Sequence, residues 1–76
     1  MSIVDAFEEL IESDEYKNIC KQRNGIGGKY RTYRIRFNNI VNKKTGEREL
    51  KAGAMVEILI ANGYTVTAHK IVSKRK

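Results

Sequence analysis

The 76-residue sequence holds one cysteine, one histidine, no tryptophan and no proline. A single cysteine, Cys20, closes no intramolecular disulfide, which excludes a disulfide-scaffolded secreted domain. One Cys and one His supply too few ligands for a structural zinc site. No run approaches the roughly 18 apolar residues of a membrane-spanning helix. The first residues lack a basic segment followed by a long apolar one, so no signal peptide is expected. A reducing, cytoplasmic setting is the default expectation. A chain of this length buries only about 60% of the surface its unfolded form exposes. A single domain over residues 1–76 with a thin core is therefore expected, without room for a large catalytic cleft.

What is abundant is positive charge, and it is unevenly placed. Fifteen Lys and Arg face nine Asp and Glu, a net +6. Residues 1–15 carry six acids (Asp5, Glu8, Glu9, Glu12, Asp14, Glu15) and no Lys or Arg, giving −6. Residues 16–76 carry all fifteen basic residues and three acids, giving +12. The basic body is suited to attract polyanions over long range. The acidic segment has three candidate roles: shielding the basic body, repelling nucleic acid from one side, or meeting a different partner.

Ile3, Phe7, Leu10 and Ile11 recur at helical spacing and form one apolar stripe, so residues 3–12 read as a helix. Ser2 is its N-cap, and Asp5 completes a box-like start. Ser13 is a second N-cap, which predicts a break and a restart through Tyr16, Ile19 and Cys20. Residues 22–29 hold three glycines and read as a loop. From residue 30 to 41, Tyr33, Ile35 and Phe37 alternate with Thr32, Arg34 and Arg36, which predicts a strand. A turn over residues 42–46 then leads into a second, edge strand over 47–51.

Residues 53–63 fit two elements. A helix would close on Gly63. A strand with Val56, Ile58 and Ile60 at period two would enter an Asn62-Gly63 hairpin. The strand is the favoured reading for 53–62, because Asn-Gly between alternating apolar runs is a strong hairpin signal. Residues 64–72 read as a strand either way. The expected fold is α+β: an N-terminal helix packed on a small, mostly antiparallel sheet of three or four strands, curled toward a barrel. Segment 55–61 is apolar nearly all round as a helix and apolar on both sides as a strand. In either form it needs cover on both sides, which motivates a homodimer.

The most informative stretch runs from Lys29 to Phe37. In a strand, Tyr30, Thr32, Arg34 and Arg36 share one face, an aromatic ring among guanidinium groups. Arg pairs with phosphates and stacks on bases, and Tyr offers a stacking plane. The expected nucleic-acid contacts are Tyr30, Arg31, Arg34 and Arg36, with Lys29, Lys43, Lys44 and Arg48 adding backbone electrostatics. DNA and RNA share these cues.

Other motifs carry less. The loop around Gly25, Gly27 and Gly28 lacks the spacing and the Lys-Ser/Thr ending of a phosphate-binding P-loop. His69 has no acidic or Cys neighbour to make it catalytic or metal-binding. Cys20 has no base beside it and reads as a small buried hydrophobe. No cofactor and no catalytic group are expected. The expected function is a small non-enzymatic nucleic-acid-binding protein, accessory or regulatory. The alternative is an inhibitor or adaptor that docks on a larger complex. It would use the acidic helix at Glu8, Glu9 and Glu12, or the apolar segment 55–61.

Overall fold

A computed structural model gives the fold, and it describes residues 1–67 and the backbone of 70–74. Eight elements follow in order: α1 (Ile3–Ile11), α2 (Asp14–Cys20), α3 (Gly27–Asn38), β1 (Ile40–Asn42), β2 (Glu47–Arg48), α4 (Ala52–Ala61), β3 (Tyr64–Thr67) and β4 (Lys70–Lys74). The α+β class is as expected. The single sheet curled toward a barrel is not found. The described strands form two separate two-stranded antiparallel sheets, β1-β2 and β3-β4.

Two compact units divide the chain: Met1–Leu10 with Lys51–Lys76, and Ile11–Leu50. In the first, the Ser2 hydroxyl accepts the Asp5 N–H at 3.0 Å, as a capping residue should. The α1 side chains Ala6, Phe7 and Leu10 are buried. Segment 52–61 is helix α4, which corrects the strand reading of 53–62. Met55, Ile58 and Leu59 sit at i, i+3 and i+4 and are all buried, so the helical period, not period two, is the one that burial rewards.

Asn62 and Gly63 end α4 instead of turning a hairpin. The Asn62 side-chain amide donates to the Ile58 carbonyl at 2.8 Å. Gly63 takes a φ of +87°, the left-handed conformation that closes helices at little cost for glycine. The expected strand over 64–72 is a hairpin, with Tyr64 opposite Lys74 and Thr67 opposite Lys70. The Tyr64 hydroxyl donates to the Glu9 carboxylate at 3.0 Å, tying β3 to α1. The expectation for His69 concerns a residue outside the described ones.

In the second unit, Ser13 caps α2 as expected, its hydroxyl accepting the Tyr16 N–H at 3.2 Å. The large correction is α3. Residues 27–38 form a helix where alternation predicts a strand from 30. Tyr30 and Phe37, seven apart, are buried together with Gly27, whereas Ile35, which the alternation places in the core, is 69% exposed. Tyr33, Ile35 and Phe37 follow period two, Tyr30, Tyr33 and Phe37 lie at helical spacing, and α3 buries Tyr30 and Phe37 of the second set. The turn after β1 is as expected. The Asn42 side chain accepts the N–H of Lys44 at 3.0 Å, and Gly46 adopts a φ of +74°. The returning strand β2 spans two residues, shorter than the 47–51 expected.

Candidate functional site

The candidate site lies on α3 and its neighbours within Ile11–Leu50. This unit holds ten Lys and Arg against five Asp and Glu, a net +5, while the other unit nets +1. From Tyr16 to Gly46 there are nine Lys and Arg and no acid. The positive charge therefore concentrates on the glycine loop that follows α2, on α3 and on the β1-β2 turn, while α2 itself, with Asp14, Glu15 and Lys17, nets −1.

Because α3 is a helix, its basic residues do not share a sheet face, and the expected interface is redistributed. Tyr30 is 4% exposed. Its ring stacks on Tyr16 with centroids 4.7 Å apart, and its carbonyl accepts the Tyr16 hydroxyl at 2.8 Å. A ring buried in this way offers no plane to a base, which corrects the stacking role expected of Tyr30. Burial pushes the Tyr16 hydroxyl well above the ordinary tyrosine range. The nearby Cys20 and Tyr30 groups push it further, and the Arg34 guanidinium pulls against them.

Two of the expected contact arginines terminate helices. The Arg31 guanidinium donates to the Cys20 carbonyl and, at 2.8 Å, to the Gln22 carbonyl. It therefore closes the C-terminal end of α2, where backbone carbonyls lack helical partners. The Arg48 guanidinium donates to the Phe37 carbonyl at 2.8 Å and lies 4.1 Å from the Phe37 ring centroid. With the Leu50 N–H on the Arg36 carbonyl, it closes the C-terminal end of α3. Both cations are already engaged with the backbone of their own unit.

The remaining expected residues face solvent to differing degrees. Lys29 lies over the Tyr33 ring at 5.6 Å. Arg36 pairs with Glu49 at 3.3 Å, both side chains about half-exposed, a geometry worth ~0–1 kcal/mol. Lys43 and Lys44 are exposed on the β1-β2 turn, and Lys21 and Arg23 are exposed after α2.

Arg34 is half-buried and lines a cleft of about 270 Å³ with Cys20, Arg31 and Ile35. Reading period two separates Arg34 from Arg31 and Ile35. On a helix, Arg31, Arg34 and Ile35 stand at i, i+3 and i+4 and meet. The signal was present as spacing, but it is visible only once the element is known to be helical.

The acidic helix is partly engaged. Glu9 accepts the Tyr64 hydroxyl, and Glu12 pairs with Lys17 at 3.6 Å. Among the described residues, no group of three His, Cys, Asp or Glu is placed to hold a metal ion, and no helix is long and apolar enough to cross a membrane. Comparison with protein-family models, with curated proteins and with solved structures finds no match to this chain.

Proposed function

We propose that the chain is a small non-enzymatic nucleic-acid-binding protein whose contact surface is the basic side of Ile11–Leu50. The observation that supports this best is the stretch from Tyr16 to Gly46, with nine cations and no carboxylate. It is displayed by α2, α3 and the β1-β2 turn. The cations offered to phosphates are Lys21, Arg23, Lys29, Arg34, Lys43 and Lys44, whereas Lys17 and Arg36 are paired with Glu12 and Glu49. The mechanism is phosphate neutralisation with release of bound counterions. The basic and aromatic face is carried by a helix and a turn, not by a sheet. Arg31 and Arg48 support that surface by holding the ends of α2 and α3.

A mobility-shift or anisotropy series on duplex DNA, single-stranded DNA and RNA tests the reading. If about five phosphates are neutralised, log K falls against log salt with a slope of about −4.5 on duplex and about −3.5 on single strands. No binding to any of the three at low salt ends it.

The competing reading, a protein-docking inhibitor or adaptor, draws less support. Two of its three acidic residues, Glu9 and Glu12, already have intrachain partners. Its apolar segment 55–61 has Met55, Ile58 and Leu59 buried. Ile60 of the same segment is 56% exposed, and a homodimer formed through it stays a proposal beside the docking reading.

A further inference from the structure

We propose that the cleft formed by Cys20, Arg31, Arg34 and Ile35 seats one unpaired nucleobase, which makes a single strand the preferred ligand over a duplex. The inference rests on the nucleic-acid reading above and deepens it.

Three properties of the cleft carry the inference. The first is size. At about 270 Å³ it falls just below the ~300–1,000 Å³ of ordinary small-molecule pockets, which suits a single ring system. The second is the chemistry of its walls. Ile35 and the Cys20 side chain are apolar or soft, and the two guanidinium groups are flat cations of the kind that stack on bases. The Arg31 wall is fixed in place by its bonds to the Cys20 and Gln22 carbonyls.

The third property is the setting. Ile35 is 69% exposed on the outer side of a cationic helix, so an incoming base can reach it. None of the residues lining the cleft is acidic, so the lining itself does not repel the phosphates on either side of a seated base. A carboxylate-bearing peptide would answer the charge but leave Ile35 without a flat apolar partner. In a duplex each base is already paired and stacked, and extruding one costs a few kcal/mol.

Cys20 provides the test, because it is the single cysteine of the chain and lines the cleft. The full chain is labelled with a maleimide alone and with saturating short oligothymidylate, an abasic strand of equal length, a duplex, or polyglutamate. Binding of each ligand is followed in parallel by anisotropy.

Oligothymidylate is expected to slow labelling roughly fivefold or more, while the abasic strand binds and leaves the rate unchanged. Ile35→Ser is expected to weaken oligothymidylate roughly fivefold, the factor matching ~1 kcal/mol of base contact. It should leave the abasic strand unaffected. Since Ile35 is exposed, this variant tests the contact without removing a buried side chain. Oligothymidylate that binds without slowing the labelling overturns the cleft inference and leaves the broader reading standing. Equal protection by the abasic strand or by polyglutamate also overturns the inference, in favour of a phosphate site or an acidic-peptide site. Failure of every nucleic acid to bind overturns both readings.

Discussion

The Tyr16 hydroxyl donates to the backbone carbonyl of Tyr30 at 2.8 Å while the two rings stack with centroids 4.7 Å apart. This contact joins α2 to α3 across 14 residues of sequence. It fixes the face that α3 turns inward, and so the face on which its cations emerge. Tyr16 is fully buried, and its raised pKa has burial as the largest cause.

Tyr16→Phe keeps the ring and removes the bond, so it should cost about 1 kcal/mol near neutral pH. The cost should shrink at alkaline pH. Tyrosine ionises near 10 in the unfolded chain and higher in the fold, so above pH 10 the unfolded state binds fewer protons than the native one. The stability contributed by this group then falls with rising pH, at up to about 1.4 kcal/mol per unit. Urea unfolding of both proteins from pH 8 to pH 11 measures the difference. A gap that stays constant over that range would refute the coupling.

Gly27 and Gly53 should respond in opposite directions to alanine. A Cβ on Gly27 would stand 2.3 Å from the Gln22 carbonyl oxygen and 2.8 Å from that of Ile19, both backbone atoms that cannot step aside. Gly27→Ala should therefore destabilise by more than about 2 kcal/mol. A Cβ on Gly53 meets nothing within 4 Å, and this residue lies in the first turn of α4. Gly53→Ala should stabilise by about 0.5–1 kcal/mol. Thermal melts of the two variants check both signs.

Arg31 and the turn lysines should separate stability from binding. Arg31→Ala leaves the Cys20 and Gln22 carbonyls without the guanidinium, and should cost about 1–3 kcal/mol in denaturant unfolding. Lys43→Ala and Lys44→Ala remove exposed charges on a solvated turn, and should stay within about 0.5 kcal/mol of the parent. In a salt titration against single-stranded DNA, each of the two should reduce the log–log slope by about 0.7. An unchanged slope in both would move the phosphate path away from the β1-β2 turn.

Tyr64→Phe should loosen the tie between β3 and α1. The variant leaves the exposed Glu9 carboxylate to water, so the loss should be modest, about 1 kcal/mol. Urea unfolding checks it, and a variant as stable as the parent would count against the bond.

The elements legible in the sequence were those whose signals are local. Ser2 and Ser13 mark the starts of α1 and α2, because a capping hydroxyl acts on the N–H three residues ahead. Asn42 and Gly46 mark the turn, because an Asn side chain bonds its own backbone nearby and glycine tolerates a positive φ. The two misread elements, α3 and α4, share a different property. Overlapping residues offer both periods in each. Tyr33, Ile35 and Phe37 alternate while Tyr30, Tyr33 and Phe37 keep helical spacing, and Val56, Ile58 and Ile60 alternate while Met55, Ile58 and Leu59 keep it, so periodicity alone does not choose between them. The candidate site inherits the error: a strand at 30–41 sets Tyr30 outward with Arg34 and Arg36, and a helix turns it in.

The sequence by itself determined the chemistry available to this protein. It supplies an acid-free stretch of nine cations, a single thiol, an acidic amphipathic first helix, and turns and caps written into residues a few positions apart. Tertiary structure decided which of those cations meet solvent. Contacts distant in sequence made the choice: the Tyr16 stack on Tyr30, the close approach at Gly27, Arg31 on the end of α2 and Arg48 on the end of α3. The physical reason is that a helix and a strand built from the same side chains differ little in local preference. Burial and the satisfaction of helix-end carbonyls are gained only when segments far apart in the chain come together.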